Sequence, residues 1–354
     1  MSSVKEAKLA LDKIINKSRV HLYKPIQIAE ILYHHRTVGG FDLLELESYR
    51  NTSKKWRDEV SIELLGRVCT SSARFQDDLF NENAVPPRLI KLLGEENENK
   101  NGIVEAYIYK LFDNKHSQLS DALDILRKSN PSNFSLKCFI DSFWNEPGLK
   151  RSIDKIYEII VYSLFSALIE LMDLKVTVSF SEEKFDLVKE FNEFTSKVLC
   201  LDFDNPVHVE NAKVYRVGVT NAADRGLDMY SNWGPAIQIK HLSLDEGLAE
   251  EIVNSVSSDK IVIVCKTAEK KIILSLLNQI GWKTKIQSII TEDDLIDWYE
   301  KALRGKYSSL LGQKLLDILQ EQVEEEFPSV EQKETIIDRR KYFGKYNDAL
   351  WGKF

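Results

Sequence analysis

Asp228 and the pair Gln238 and Lys240 stand one short hairpin apart in the stretch DRGLDMYSNWGPAIQIKH, which places a carboxylate near an amide and an ammonium. Those three groups suit metal-assisted phosphodiester hydrolysis. A hard divalent ion such as Mg²⁺ prefers oxygen ligands from one or two carboxylates plus phosphate and water. Such an ion activates the attacking water and neutralises charge in the in-line transition state. Lys240 adds a fixed positive charge where negative charge develops. Gln238 can ligate through its carbonyl oxygen or orient water, but it supplies no charge, so the site needs a second carboxylate.

The β-period positions these groups. Tyr215, Val217 and Val219 alternate with Arg216, Gly218 and Thr220, and Ala236, Ile237 and Ile239 resume an apolar run after Gly234-Pro235. The two runs read as neighbouring strands. Residues i and i+2 of a strand share a face, so Gln238 and Lys240 project together while Ile237 and Ile239 bury the other way. His241 then faces away from Lys240, which favours a structural role for it. Tyr230 and Trp233 are expected to pack the hairpin.

Glu158 is the candidate for the second carboxylate. Leu149 to Met172 has helical apolar spacing after the stop Glu146-Pro147-Gly148, and Ile156, Ile159, Ile160, Leu164, Leu168 and Leu171 form its core stripe. Glu158 sits beside that stripe in the first half of the helix. A solvated helix glutamate is the alternative.

The order of helix with Glu158, strand near Lys175 to Phe180, hairpin with Asp228 and Gln238-x-Lys240, then helix and strand, resembles the PD-(D/E)xK nuclease core. The string DRGLD followed by QIK is similar to the Gln-x-Lys variant of Mrr-like nucleases, which implies Asp228 as the metal ligand and Asp224 as an outer residue. RVGVTNAADRGLDMYSNWGPAIQIKHLSL with KIVIVCK downstream resembles HaeII-like type II restriction endonucleases over most of the chain. Two departures stand out: no Pro precedes Asp228, and Gln replaces the acidic member. The resemblance implies Mg²⁺-dependent cleavage of double-stranded DNA at a short specific sequence, with a cognate DNA methyltransferase in the same system. A palindromic site would imply a homodimer. A Mrr-like or repair-type nuclease and a non-catalytic DNA-binding protein with a degenerate core are the alternatives.

Composition permits this. With 354 residues and 43% apolar content the chain can bury a large core. No uncharged apolar run reaches membrane-spanning length and the charged amphipathic start lacks a signal peptide's apolar region, so a cytoplasmic protein with no membrane partner is expected. Cys69, Cys138, Cys200 and Cys265 lie far apart, which argues against structural zinc. Cys200 and Cys265 read as buried small hydrophobes. A net charge of -7 opposes nucleic-acid binding unless basic residues gather locally. Residues 1–75 hold thirteen Lys plus Arg against nine Asp plus Glu. Within them Lys54, Lys55, Arg57, Arg67 and Arg74 are candidate DNA contacts, with a solvated surface as the alternative. The adjacent His34 and His35 make poor joint metal ligands, because neighbours on a helix do not share a face.

The expected fold is α/β: a PD-(D/E)xK restriction-endonuclease-like mixed sheet flanked by helices, with an α-rich N-terminal part. Residues 1–148 form that part, 149–312 the nuclease core, and 313–354 a C-terminal helix and a basic, aromatic tail (Arg339 to Tyr346, Trp351 to Phe354) that suits DNA, docking or an oligomer contact. Helices are expected at Lys5–Asn16, Ile26–His35, Leu43–Tyr49, Trp56–Cys69, Gly102–Phe112, Glu182–Val198, Asp245–Val256, Ala268–Ile280 and Glu292–Leu303, the last with a capping box from Thr291. Strands are expected at Lys260–Cys265 and Ile286–Ile290, and a polar loop at Glu95–Gly102.

Overall fold

The computed structural model describes residues 3–68, 77–217, 227–268, 285–328, 335–342 and 348–352. Its first part is helical: α1 (Val4–Lys17), α2 (Tyr23–Thr37), α3 (Leu46–Leu65), α4 (Pro87–Asn99), α5 (Ile103–Arg127) and α6 (Leu136–Asn145). Two sequence signals were overridden by tertiary contacts. Asn51-Thr52-Ser53, which separates the helices expected at Leu43–Tyr49 and Trp56–Cys69, does not break α3, because buried Ser53 accepts from Gln27 Nε2 and donates to the Arg50 carbonyl. The polar string after Gly94 is largely helical. Within it, Asn97 is fully buried and its Oδ1 accepts from the N–H groups of Val104 and Glu105, capping α5 from the preceding helix.

The second part begins with α7 (Ile153–Leu171), entered through a 3-10 turn at Lys150–Ser152. After an excursion comprising β1 (Lys175–Ser179), α8 (Phe185–Glu190), α9 (Asn192–Leu199) and β2 (Val207–Asn211), the chain enters its main sheet. This sheet contains β3 (Val214–Arg216), β4 (Met229–Ser231), β5 (Ala236–Leu244), β6 (Ile261–Ala268) and β7 (Ile286–Thr291). Their order is β3-β4-β5-β6-β7, with antiparallel pairing up to β5 and parallel pairing beyond it. The expected mixed α/β sheet is therefore present. Helices α10 (Glu246–Ser255), α11 (Glu292–Arg304), α12 (Ser308–Glu326) and the short α13 (Ile336–Arg339) complete the described chain. The capping box of Thr291 and Asp294 opens α11.

Several expectations are corrected. The Lys175 strand pairs with β2 in a separate two-stranded sheet and does not join the main one. The runs around Tyr215 and Ile237 are not neighbours, since β4 lies between them. The helix after Glu182 is interrupted at Phe191. Cys200 is exposed at a helix end with φ 54, whereas Cys265 is buried as expected. The Ala268–Ile280 helix lies outside the described residues apart from Ala268, which ends β6.

The two faces of the sheet bury different side chains. Ile237, Ile239, Val262 and Val264 pack with α7, α11 and α12. Ala236, Ile261, Ile263 and Cys265 pack with α10. A further cluster holds α1 to α4, the first half of α5 and the C-terminal tail. Helix α5 passes from that cluster into the first, so apolar packing crosses the 148/149 position. The described residues of the tail are docked: Arg340 forks onto Glu30 at 2.8 and 2.9 Å, Tyr342 Oη bonds to Glu105, and buried Trp351 donates to Glu96.

The His21 and His116 rings lie tilted 5.9 Å apart beside Phe112 and Phe327, with His21 Nδ1 and His116 Nε2 buried without a hydrogen-bond partner. Burial lowers the pKa of His21 to about 4 and that of His116 to about 3. Both are depressed, so the unfolded chain binds protons below pH 6.5 that the folded chain refuses. Their contribution to stability is complete above that pH and falls as pH drops towards 4. Relative to wild type, His21→Phe/His116→Phe is expected to flatten the stability-against-pH slope between pH 6 and 4.5 by about 1 kcal/mol per pH unit for each histidine. Urea denaturation across that range measures it; an unchanged slope would refute the assignment.

Candidate active site

Asp228 enters β4 with its carbonyl accepting from Val217 N–H at 2.9 Å. Its Oδ2 accepts from Gln238 Nε2 at 2.5 Å and from Ile239 N–H at 2.7 Å. The hairpin therefore joins Asp228 and Gln238 directly. An ionised carboxylate only accepts, so the Gln238 amide nitrogen must face it and Oε1 must point away. Gln238 is 2% exposed, and that Oε1 is buried without a hydrogen-bond partner. A buried carbonyl oxygen left unsatisfied is destabilising by about 1–3 kcal/mol, which a ligand would relieve.

Lys240 lies two residues along β5, with the same parity as Gln238, and its charge pulls the Asp228 pKa down. The β5–β6 register shifts between Lys240 and Ser243, an irregularity of the kind that re-aims side chains beside active sites. His241 points the other way and hydrogen-bonds Asp154. Burial works against the Asp154 carboxylate, but the bond and charge of His241, with Arg19 and Lys240, hold it below its usual range.

Glu158 is brought to this place by the first turns of α7. It is 5% exposed, and its Oε2 accepts from Lys155 Nζ at 2.6 Å. Burial pushes its pKa up to about 7, aided by the charges of Asp228 and Glu326 and opposed by Lys155. The Asp228 pKa is also raised, first by burial, against the Ile239 N–H, Lys240 and Lys155. Glu326 pairs with Arg216 at 3.4 Å below the site.

No group of three His, Cys, Asp or Glu suited to a metal occurs among the described residues. Asp224 and Arg225 lie outside them. The oxygens present are the Asp228 and Glu158 carboxylates, hard donors that fit Mg²⁺; the Gln238 Oε1 faces away from Asp228 and would have to turn to join them. Two carboxylates with raised pKa values are what a bound dication would reverse. Glu158→Gln keeps the acceptor for Lys155 while removing a buried charge, and is expected to leave the metal-free melting temperature equal or higher while lowering metal affinity. Calorimetry with and without the ion reads both, and a loss of several degrees without metal would contradict it.

The candidate DNA contacts have different fates. Lys55 is exposed and Lys54 half-buried. Arg57 is corrected: it is 2% exposed, donates to Gln27 and Asp58, and lies over the Tyr23 ring, so its donors are used inside the fold. Arg67 donates to the Glu326 carbonyl, and Arg74 lies outside the described residues. Tyr230 stacks on Tyr215 but both are exposed, as is Trp233, so the hairpin aromatics do not form a core.

Asp154, Lys155 and the Trp144 cluster were missed in the sequence. Trp144 carries Lys266 Nζ at 3.9 Å and Lys150 Nζ at 4.9 Å from its ring centre, with the His241 ring 6.2 Å away. Asp154 and Lys155 had a signal in their spacing from Glu158 on one helix; Trp144 and Lys266 had none.

The HaeII restriction endonuclease family model matches residues 7–342. The chain belongs to the HaeII restriction endonuclease family. It is 57% identical over 352 residues to the type II restriction enzyme HaeII of Haemophilus aegyptius, covering 99% of both chains. It is 54% identical over 333 residues to the type II restriction enzyme NgoBI of Neisseria gonorrhoeae, covering 94% of both. No solved structure matches. The protein is thus a type II restriction endonuclease, and the Mrr-like and non-catalytic alternatives are not favoured.

Proposed function

We propose that the chain hydrolyses both strands of duplex DNA at a short palindromic sequence, with Mg²⁺, at a centre formed by Asp228, Glu158, Gln238 and Lys240. The observation that carries this reading is the Asp228–Gln238 hydrogen bond across the hairpin, with the Glu158 carboxylate close enough to feel the charge of Asp228. Asp228 and Glu158 would hold the ion, and Gln238 Oε1 would complete or orient its shell. When bound, the ion supplies positive charge at the scissile phosphate and lowers the pKa of its water. Lys240 would hold a second positive charge beside Asp228, where negative charge builds on the phosphate oxygens as the water oxygen, giving its proton to solvent, bonds to phosphorus and the P–O bond breaks, the leaving oxygen taking up a proton from solvent. The Asp228 bonds to Gln238 and Ile239 fix the carboxylate so that it needs no reorganisation during the reaction.

Basic groups flank this centre in a chain of net charge -7. Lys150 and Lys266 over Trp144, with Lys155 and Lys240, offer phosphate contacts close to the reacting groups. Lys54 and Lys55 are more distant candidates. A palindrome calls for a two-fold homodimer with one centre for each strand. A methyltransferase that protects host DNA in the cytoplasm completes the system.

The test is incubation of unmethylated phage or plasmid DNA with the protein in Mg²⁺ and in EDTA. Discrete fragments in Mg²⁺ alone are expected, and sequencing their ends gives the site. Intact DNA in Mg²⁺, or a smear, would overturn the reading.

A further inference from the structure

Residues 172–211 leave the body of the fold between α7 and β3. None of the three hydrophobic clusters among the described residues draws a member from this segment. Leu187 in α8, Phe191 at the break between the helices, and Phe194 and Val198 in α9 follow one another at spacings of four, three and four, and the N–H groups of Phe191 and Thr195 keep helix-like bonds to the Leu187 and Phe191 carbonyls across the break. They are 54%, 53%, 55% and 61% exposed. Val207 and Val209, on one face of β2, are 51% and 54% exposed. Only Val188 and Leu201 are buried apolar residues there.

Such a segment does not hold itself together. A two-stranded sheet is marginal in water, and about 40 residues seldom build a sufficient core. Eleven large apolar side chains between Met172 and Val209 are 40% exposed or more, a density of exposed apolar residues that marks an interaction surface.

Charge argues against DNA as the occupant. Met172 to Asn211 carries nine Asp plus Glu against four Lys, a poor surface for DNA phosphates. The chain supplies one Asp228–Gln238–Lys240 centre, whereas a duplex has two strands. The seam is also self-complementary: antiparallel to its copy it sets like residues about a two-fold axis and brings Lys197 of one seam near Asp186 of the other. We propose that residues 172–211 are the surface through which two copies of this chain associate, with the Leu187–Val198 seams in contact. The proposal rests on the reading of one centre per strand.

Sedimentation equilibrium of the full chain at low micromolar concentration tests it without any cleavage. Wild type is expected at twice the chain mass, and Phe191→Asp/Phe194→Asp at the chain mass, its dissociation constant raised at least 100-fold. The variant should convert supercoiled plasmid to open circles where wild type yields linear DNA. Wild type at the chain mass, or a variant that associates as tightly, would overturn the proposal. Should the variant lose its helical circular dichroism, hydrogen exchange of wild type decides: amides of 185–199 must exchange faster on dilution, and exchange independent of concentration refutes the interface. Cleavage that survives Asp228→Asn would instead mark failure of the catalytic reading.

Discussion

Asp228→Asn is expected to lower the single-turnover rate of DNA cleavage in Mg²⁺ by on the order of 10³-fold or more, with fold and DNA affinity retained. The substitution changes charge and almost no volume. An amide oxygen at the position of Oδ2 still accepts from Ile239 N–H and Gln238 Nε2, so the hairpin keeps the bonds that join its strands. What is lost is the negative charge that attracts a cation and that Lys240 and Lys155 stabilise. Binding to DNA in EDTA should stay the same or tighten, because a negative charge facing phosphates has been removed. Rate, metal affinity and melting temperature separate the outcomes, and a variant cutting within tenfold of wild type would remove Asp228 from the centre.

Lys240→Ala is expected to reduce the cleavage rate by about 10²–10³-fold, the usual effect of deleting one preorganised charge from a transition-state site. Its effect should fall on kcat more than on KM, since the ammonium matters most as charge develops on the phosphate. A second signature follows from Asp228. Lys240 lowers the pKa of that carboxylate, so its removal lets the pKa rise further and moves the acid limb of the pH–rate profile to higher pH. Lys240→Arg keeps the charge with a different reach and should recover part of the rate. Equal rates for all three proteins would show that Lys240 is not part of the machinery.

Local periodicity made the centre's two ends legible. Alternation along β5 placed Gln238 and Lys240 on one face and Ile237 and Ile239 in the core on the other, and the breaker at Gly234-Pro235 returned the chain towards Asp228. The Thr291 capping box and the apolar run of β6 were equally visible, because they depend on residues a few positions apart. The family resemblance needed no geometry at all.

What depended on distant partners was not legible. The Ser53 and Asn97 contacts that keep α3 and α4 helical come from other helices, and they outweigh local preferences of a kcal/mol or less per residue. Arg57 looked like a DNA contact because its charge was visible and its burial beside Gln27 and Tyr23 was not. The sequence by itself determined that Asp228, Gln238 and Lys240, the centre proposed above, could meet across one hairpin, and it determined the α/β class, since both follow from spacing along the chain. Only the tertiary structure decided that Glu158 is buried against Lys155 near Asp228, that β4 separates β3 from β5, and that the Leu187–Val198 stripe is left uncovered. Burial, strand order and exposure are set by contacts between segments far apart in the chain, and a local pattern carries no record of them.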